Sequence, residues 1–433
     1  MKVAVVGLWH LGCVTAACVA EKGYSVIGID PDVHLIGQLE NNCPPVSEPG
    51  LSELMAQQQQ QGRLSFSHDF KALQDADLIW ITFDTPVNDQ DQADVAYVEK
   101  QVMDLFPYLN TGSIVLISSQ LPVGTTHKLQ RLFQEHSPQK QVCFAYSPEN
   151  LRLGKSINYF LNPERIVIGL DQVEAKPRLE KFLNQFSSQL IWMRVTSAEM
   201  TKHALNAFLA VSVTFANEMA RICKFTGADA FEVEQGLKSE ARIGPGAYLR
   251  PGEAFAGGTL ARDVNFLCEL SQQFQFPSHI FPAILASNQE HKHWIKSTLL
   301  NHFLQKLAGK KIAILGLTYK PDTDTLRRSE MVELIDWLNK HEAIVTAYDP
   351  WVRQLPEGLN LSVTLSDHYH GALVNQNVVI LGTRWPQFKD LTQTHLAQIS
   401  EDCVFIDATG FLEPLIKQQK GCIYYKVGCH DVA

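Results

Sequence analysis

Two short apolar runs that end at glycine constrain the fold more than any other feature of the sequence. Lys2–Val6 (KVAVV) ends at Gly7, and Lys311–Leu315 (KIAIL) ends at Gly316. Short runs of this kind are typical of strands that are buried on both faces of a parallel sheet. Because further strands of the same type follow each run, the chain is predicted to contain two α/β units, each with a doubly wound parallel sheet.

The first unit has the order of elements that binds dinucleotides. A helical stretch at 13–22 follows Gly7, and a second strand, Ser25–Ile29, ends on Asp30. In such a βαβ unit the glycine turn and the helix N-terminus receive a pyrophosphate, while the acid accepts a hydrogen bond from a ribose 2′-hydroxyl. A carboxylate there repels the 2′-phosphate of NADP, so the expected cofactor is NAD.

The glycine turn departs from the usual G-x-G-x-x-G spacing. Gly7 and Gly12 occupy the outer positions, but Trp9 stands where a glycine normally lets the backbone approach the pyrophosphate. An indole at this point is expected to crowd the turn or to push it outward. A Rossmann-like unit that binds no dinucleotide therefore stays open as an alternative.

Polar residues follow three further apolar runs of the first unit. The runs and the residues at their ends are 75–83 with Thr85, 113–118 with Gln120, and 144–149 with Glu149. Ligands of open parallel sheets bind beyond the carboxyl ends of the strands. Together with Asp30, these residues raise the expectation of a site at one edge of the sheet.

A long amphipathic helix is predicted at 197–229, between the two α/β units. Lys202 and Asn206 are four residues apart, so their side chains share one face of this helix. An ammonium group and an amide on a helix built for burial require a common polar partner. A core helix with a snorkelling lysine explains the same pattern, and both interpretations stay open here.

The second α/β unit is predicted to begin after a linker near 295–310. Its further strands are expected at 346–349, Val378–Leu381 and 404–407. His291-Lys292-His293, just before the linker, is expected to be an exposed helix end and not a metal site, because no other ligands cluster with it.

Length, charge and cysteine use limit the class of protein. A chain of 433 residues is expected to form two or three domains, and its net charge of −9 argues against nucleic acid or an anionic membrane as a main partner. No apolar run reaches the length of a membrane span. The nine cysteines are odd in number and form no C-x-x-C pair, which favours a reducing, cytoplasmic location.

Seven short motifs occur in order along the chain. They are Glu48-Pro49-Gly50-Leu51; Pro122-Val123-Gly124-Thr125-Thr126; Ser147-Pro148-Glu149-Asn150-Leu151-Arg152-Leu153-Gly154; Asn162-Pro163-Glu164-Arg165-Ile166-Val167; Lys202 with Asn206; Arg242-Ile243-Gly244; and Gly316-Leu317-Thr318-Tyr319-Lys320-Pro321 with Asp324 and Arg327. Each is weak alone. Together, over nearly the whole chain, they resemble the UDP-glucose/GDP-mannose dehydrogenase family.

The resemblance implies oxidation of a nucleotide-sugar alcohol to a carboxylate in two NAD-dependent steps, through a cysteine-bound intermediate, in polysaccharide biosynthesis. It implies an NAD-binding domain at 1–195, a helical dimerisation domain at 196–300 and a nucleotide-sugar-binding domain at 301–433, with a homodimer formed through the central helix. In this family the loop arginine reaches across the dimer interface, which implies that Arg242 acts in the neighbouring subunit.

The resemblance also assigns residues to the site. Lys202, Asn206 and Asp263 surround the reacting hydroxyl, Asp263 or a water that it holds takes the proton, and Glu149 is the acid/base of the second half. Cofactor positions are Gly7, Trp9, Leu11, Gly12, Asp30, Thr85, Pro86 and Arg327. Substrate positions are Glu149, Leu151, Arg152, Lys202, Asn206, Arg242, Tyr248, Phe255, Gly257 and Lys320.

The chain departs from the family pattern Gly-Gly-x-Cys-x-x-Lys-Asp. Thr259 stands at the cysteine and Arg262 at the lysine, while Gln120 replaces a water-holding threonine of the family. A threonine hydroxyl is a far poorer nucleophile than a thiolate unless a base activates it. Cys268, nine residues further on, is expected to be a small buried residue of the next helix.

Three outcomes fit these departures. In the first, the enzyme stops after one hydride transfer and releases an aldehyde or a ketone. In the second, water hydrates the aldehyde and Glu149 assists a second oxidation, of the diol. In the third, the chain binds a nucleotide sugar without oxidising it. Trp9 and Thr259 favour the binding protein. The lysine, amide and carboxylates at the family's catalytic positions favour a dehydrogenase, because a protein that only binds a nucleotide sugar does not require groups for proton transfer.

Overall fold

The computed structural model describes residues 1–88, 92–149, 151–256, 259–326, 329–356, 358–419 and 421–429. The chain divides into two compact units, 1–205 and 206–433. Each unit contains one α/β sheet, and helices occupy the stretch of chain between the two sheets. The predicted fold class is therefore confirmed. No helix in these ranges is both long and apolar enough to cross a membrane.

The sheet of unit 1 is parallel over most of its width. Its strands are β1 (Lys2–Val6), β2 (Ser25–Ile29), β3 (Leu64–Ser67), β4 (Leu78–Ile81), β5 (Ile114–Ile117), β6 (Cys143–Tyr146), β7 (Ile166–Gly169) and β8 (Leu190–Met193). They lie in the order β3-β2-β1-β4-β5-β6-β7-β8. β6 and β7 pair antiparallel, so β7 and β8 run against the other strands, an arrangement common at the edges of parallel sheets.

Both faces of this sheet are buried. Val3 and Val5 of β1 pack into one apolar cluster, whereas Ala4 and Val6 pack into a second. Since side chains alternate along a strand, the two clusters cover opposite faces. This explains why the strand is continuously apolar in sequence.

Helices connect the strands of unit 1. They are α1 (His10–Glu21), α2 (Val33–Glu40), α3 (Leu51–Gln60), α4 (Val95–Met103), α5 (Thr125–His136), α6 (Ser156–Leu161) and α7 (Lys176–Leu183), with 3-10 turns at Phe70–Asp75, Phe106–Tyr108 and Val173–Ala175. The long helix α8 (Val195–Thr226) starts two residues before, and ends three residues before, the predicted 197–229.

Unit 2 begins with a group of helices and continues with a parallel sheet whose strands alternate with further helices. The helices are α9 (Ala230–Ser239), α10 (Leu260–Gln273), α11 (Ile280–His291), α12 (Trp294–His302), α13 (Glu330–Lys340), α14 (Tyr369–Ala372), α15 (Gln393–Leu396) and α16 (Glu413–Ile416), with a 3-10 turn at Pro386–Asp390. The strands are β9 (Lys311–Leu315), β10 (Ile344–Tyr348), β11 (Val363–Leu365), β12 (Val378–Leu381), β13 (Val404–Ile406) and β14 (Ile423–Tyr425). Their order is β11-β10-β9-β12-β13-β14.

The predicted linker near 295–310 is wrong, because α12 occupies its first half. Leu299 is fully buried and packs with Ile312 and Ile314 of β9. The expectation of an exposed helix end is also wrong for His291, which ends α11 and is only 5% exposed. Cys268 lies on α10 but is half-buried rather than fully buried.

Two glycines shape the turn after β1. Gly7 has a φ of +94°, a conformation that other residues rarely adopt. Gly12 lies in the first turns of α1, and a Cβ there would come within 1.9 Å of the Gly7 carbonyl oxygen. The close approach of helix to turn therefore requires glycine at position 12.

We expect Gly12→Ala to destabilise unit 1 by about 1–3 kcal/mol, because the added methyl group meets backbone that cannot easily move. Gly37→Ala is the matched control, since Gly37 also lies in a helix but has open space around its Cβ position. That control should leave stability unchanged or raise it by up to about 1 kcal/mol. Calorimetric unfolding measures both; equal melting temperatures for the two variants would contradict the close approach.

Candidate active site

The turn between β1 and α1 is tied to the end of β2 by Asp30. Its Oδ2 accepts a hydrogen bond from the Leu8 backbone N–H at 2.8 Å, and its Oδ1 accepts from the Asp32 N–H at 3.1 Å. Burial raises the pKa of this carboxyl, although the two N–H groups oppose the shift. Each oxygen has a second lone pair, which leaves acceptor capacity for a ribose hydroxyl.

Trp9 stands at the N-cap of α1 without filling the turn. Its side chain is 46% exposed, and among the described contacts it makes no capping hydrogen bond to the helix. Leu11 is half-buried in the first turn of α1. The N-terminus of α1 and the left-handed glycine turn therefore fit the pyrophosphate of a dinucleotide, with Asp30 placed for the ribose.

The ends of β4 and β5 are joined by a side chain. The Thr85 hydroxyl donates to the Gln120 carbonyl oxygen at 2.7 Å, and both residues are buried. Pro86, the next residue, is exposed. The structure thus brings Thr85 and Gln120 together at the carboxyl edge, where the sequence places them.

A buried carboxylate links the dinucleotide turn to the loop that carries Glu149. Glu48 Oε2 lies 2.8 Å from His10 Nε2 and accepts from the Gly154 N–H at 2.9 Å, while Oε1 accepts from the Ser156 N–H at 2.8 Å. Burial acts to raise the pKa of Glu48, but these hydrogen bonds outweigh it and hold the pKa below its usual value. Sequence reasoning quoted the motif around Glu48 without assigning the residue a role.

Lys202 and Glu149 form a polar pair in unit 1, in which the lysine is buried and the glutamate is half-buried. Lys202 Nζ donates to the Glu149 carbonyl oxygen at 2.6 Å and lies 3.6 Å from its Oε1. Glu149 Oε2 accepts from the N–H of half-buried Leu151 at 2.7 Å. Arg152 is exposed, and its guanidinium lies 4.9 Å from the Tyr159 ring centre. The described partner of Lys202 is therefore Glu149, whereas that of Asn206, one turn further along α8, is Asp263.

Glu199 holds the start of α8 in unit 1. Its fully buried carboxylate accepts from the Gly124 N–H at 2.6 Å and from the Thr126 N–H at 2.9 Å, at the N-terminus of α5. Its role was not predicted from the sequence. The signal was the recurrence of polar residues on one helix face at 199, 203 and 206.

Asn206 and Asp263 form a second buried polar pair, in unit 2. Asn206 Nδ2 donates to Asp263 Oδ2, and Asp263 is fully buried. Thr259 is exposed at the N-cap of α10, and no capping hydrogen bond of its side chain is seen among the described residues. The predicted positions Gly257 and Arg327 lie outside the described residues.

The predicted substrate loop of unit 2 is exposed at one end and anchored at the other. Arg242 is exposed, with its Nε 3.1 Å from Glu240, and Tyr248 is 62% exposed. Phe255 is buried, and its N–H and carbonyl both bond to the side chain of Asn288, at 2.9 and 2.8 Å.

Lys320, on the loop after β9, is half-buried with Nζ 5.5 Å from the Tyr319 ring centre. That loop is fixed by Asp349, the acid that follows β10. Asp349 is 1% exposed and accepts from the Leu317 N–H at 2.7 Å and from the Trp385 Nε1–H at 3.1 Å.

The geometry defines a class of protein. A glycine turn with an acid at the end of β2, a lysine–carboxylate pair and a buried amide–carboxylate pair are typical of a dinucleotide-dependent oxidoreductase. Models of the UDP-glucose/GDP-mannose dehydrogenase family match the chain at 1–187 (NAD binding domain), 196–290 (central domain) and 313–414 (UDP binding domain). The chain belongs to this family, and it is an NAD-dependent nucleotide-sugar dehydrogenase.

Relatives of the chain match along its whole length. UDP-glucose 6-dehydrogenase TuaD of Bacillus subtilis (strain 168) is 31% identical, covering 99% of this chain and 93% of the relative. UDP-glucose 6-dehydrogenase of Rhizobium meliloti (strain 1021) is 31% identical, covering 100% of both. A solved UDP-glucose dehydrogenase from Pyrobaculum islandicum superposes with a TM-score of 0.88 at 29% identity, covering 99% of this chain and 98% of that one. The predicted family and NAD cofactor are confirmed.

We expect Glu48→Gln to cost about 1–3 kcal/mol of stability, because an amide NH2 would face groups that also donate hydrogen bonds. The apparent KM for NAD should rise, since His10 of the dinucleotide turn loses its carboxylate. Glu53→Gln, on an exposed position of α3, is the control and should change neither quantity. Urea unfolding and NAD titration test this; a variant indistinguishable from the control would contradict the role of Glu48.

Proposed function

We propose that the protein oxidises one hydroxyl of a nucleotide-diphosphate sugar to a carbonyl and stops after one hydride. The observation that carries this proposal is a contrast between two parts of the site. The groups for proton handling are paired, half-buried Glu149 with buried Lys202 and buried Asn206 with buried Asp263. The family's nucleophile position instead holds Thr259, an exposed hydroxyl.

The proposed roles follow from charge. As hydride leaves the carbinol carbon, its oxygen becomes alkoxide-like, and the ammonium of Lys202 and the amide of Asn206 stabilise that charge. Asp263, or a water that it holds, takes the hydroxyl proton. The nicotinamide of bound NAD supplies the hydride acceptor. Cofactor contacts are assigned to Gly7, Trp9, Leu11, Gly12, Asp30, Thr85, Pro86 and Arg327.

The substrate assignment rests on the relatives and on the loops of unit 2. A UDP-glucose-like substrate is proposed, because the matched relatives are UDP-glucose dehydrogenases. Its contacts are assigned to Glu149, Leu151, Arg152, Lys202, Asn206, Arg242, Tyr248, Phe255, Gly257 and Lys320. The division into NAD-binding, central and nucleotide-sugar-binding domains at 1–195, 196–300 and 301–433 belongs to this proposal.

The proposed assembly is a homodimer through α8. Three apolar side chains seven residues apart, Phe208, Phe215 and Ile222, are 70%, 45% and 54% exposed. A row with this spacing lies along one face of a helix and is suited to pairing with a second copy. Arg242, with a side chain that is 87% exposed, is then available to the neighbouring subunit. We place the enzyme in the cytoplasm, in polysaccharide biosynthesis.

Lys202→Ala should lower kcat by at least about 10²-fold, because the ammonium that stabilises the developing alkoxide is lost. Affinity for the nucleotide sugar should stay close to the wild-type value. Lys224→Ala, the other lysine of α8, is the control and should keep wild-type kcat. NADH absorbance gives the rate, and unchanged turnover in Lys202→Ala would refute the role assigned to Lys202.

Thr259→Ala should retain most of the activity, because the proposal gives this hydroxyl no covalent role. Thr259→Cys extends the test by restoring the family's nucleophile, and we expect it to trap a covalent adduct visible in the mass of the intact protein. Loss of activity in Thr259→Ala would instead show that the threonine acts covalently.

A further inference from the structure

Buried side chains from two helices hold the backbone of a short segment in unit 2. The segment, 252–255, leads along the chain towards Thr259 at the family's nucleophile position. Asn217 of α8 and Asn288 of α11 both bond to its backbone, and they are only 2% and 6% exposed. Because buried amides keep their hydrogen bonds satisfied, their partners show what these two residues hold in place.

Asn288 bonds to both backbone groups of a single residue. Its Nδ2 donates to the Phe255 carbonyl oxygen at 2.8 Å, and its Oδ1 accepts from the Phe255 N–H at 2.9 Å. The side chain therefore acts as a donor and an acceptor at once, as a neighbouring strand would. An ionised carboxylate of the same shape could accept but could not donate.

Asn217 and His291 hold the start of the same segment. Asn217 Oδ1 accepts from the Gly252 N–H at 3.0 Å, and its Nδ2 donates to the Glu253 carbonyl oxygen at 3.2 Å. His291 Nε2 lies 2.7 Å from the Gly252 carbonyl oxygen, so Nε2 carries the proton that the carbonyl accepts. Five hydrogen bonds to buried side chains thus fix this backbone, which a loop that only connects two helices does not require.

Phe255 connects the held segment to the amide–carboxylate pair of unit 2. It is buried in one apolar cluster with Ala207 of α8 and Ala261 of α10. The pair lies beside these alanines in the chain, with Asn206 directly before Ala207 and Asp263 two residues after Ala261. Buried side chains are close-packed, so a shift of Phe255 moves its neighbours as well.

We propose that Asn288 and Asn217 are positioning residues of the dehydrogenase that act on the reaction through the 252–255 segment. Neither amide is assigned a contact with substrate or cofactor. They hold the segment, and through Phe255 the amide–carboxylate pair, in the geometry that proton removal requires. The inference rests on the proposed function, which gives that pair its role in the reaction.

Asn288→Asp separates the hydrogen bonds of this residue from its shape. A protonated aspartic acid has one donor and one acceptor, like the amide, so it keeps both bonds to Phe255. The ionised form cannot donate and places a negative charge against the Phe255 carbonyl oxygen. Burial and that carbonyl raise the pKa of the introduced carboxyl above its ordinary value, so the protonated form is present at low pH and is lost as the pH rises.

The test is the ratio of kcat in Asn288→Asp to kcat in the wild type at pH 6 and pH 9. NADH absorbance gives both rates, with UDP-glucose or with the sugar of a UDP-, GDP- and dTDP-sugar panel that yields the most NADH. We expect a ratio near one at pH 6 and about tenfold lower at pH 9, with recovery when the same sample is returned to pH 6. Glu253 and His291 titrate in both proteins, so the ratio cancels their effect.

Two further readings distinguish a positioning role from a loss of stability. The KM for NAD should stay at the wild-type value at both pH values, because the NAD binding domain matches at 1–187, outside the held segment. Asn301→Asp, which places the same group at an exposed position of α12, is the matched control and should keep a ratio near one throughout. If Asn288→Asp unfolds at pH 9, the same ratio is expected for Asn217→Asp, which loses the donor to the Glu253 carbonyl.

The outcomes separate this inference from the proposed function. A ratio near one at pH 9, or a ratio equally low at both pH values, would overturn the inference, since neither follows from the loss of one hydrogen-bond donor. In both cases NADH formation by the wild type would leave the dehydrogenase activity standing. If the wild type forms no NADH with any nucleotide sugar, the proposed function fails and this inference fails with it.

Discussion

The hydrogen bonds between Glu199 and the N-terminus of α5 fix the part of the site that lies in unit 1. A buried carboxylate without donors would cost several kcal/mol, and two backbone N–H groups at the positive end of a helix offset that cost. Because Glu199 is held, Lys202 three residues later is directed at Glu149. A structural interaction thus sets the position of the pair to which we assign a part in the chemistry.

The two α/β units show how one topology supports two ligands. In each unit an acid follows the second strand of the sheet, Asp30 in unit 1 and Asp349 in unit 2. Asp30 bonds to two backbone N–H groups and keeps acceptor capacity, whereas Asp349 is buried among several donors. The first arrangement suits a dinucleotide ribose, and the second turns the acid into a structural anchor. This contrast agrees with separate NAD and UDP binding domains in the family.

Local pattern predicted the central strands of each sheet well, because a run buried on both faces is apolar throughout and ends sharply at a polar residue or a glycine. It did not predict the outer strands β3, β7, β8, β11 and β14. β1, β2, β9 and β12 have the predicted bounds. The helix α12 was missed because its burial depends on packing against β9, a contact that no local signal carries. For the same reason the sequence indicated Lys202 and Asn206, which share a helix face, but not the burial of His291, whose environment is created by distant segments.

We propose that the enzyme removes one hydride and stops at a carbonyl. This proposal is tested most directly by mass spectrometry of the product, with NADH counted per sugar, across a panel of UDP-, GDP- and dTDP-sugars. We expect a product lighter than the substrate by two hydrogens and one NADH for each sugar consumed. A carboxylate product with two NADH per sugar would contradict it and would show that oxidation proceeds to completion without the family's cysteine.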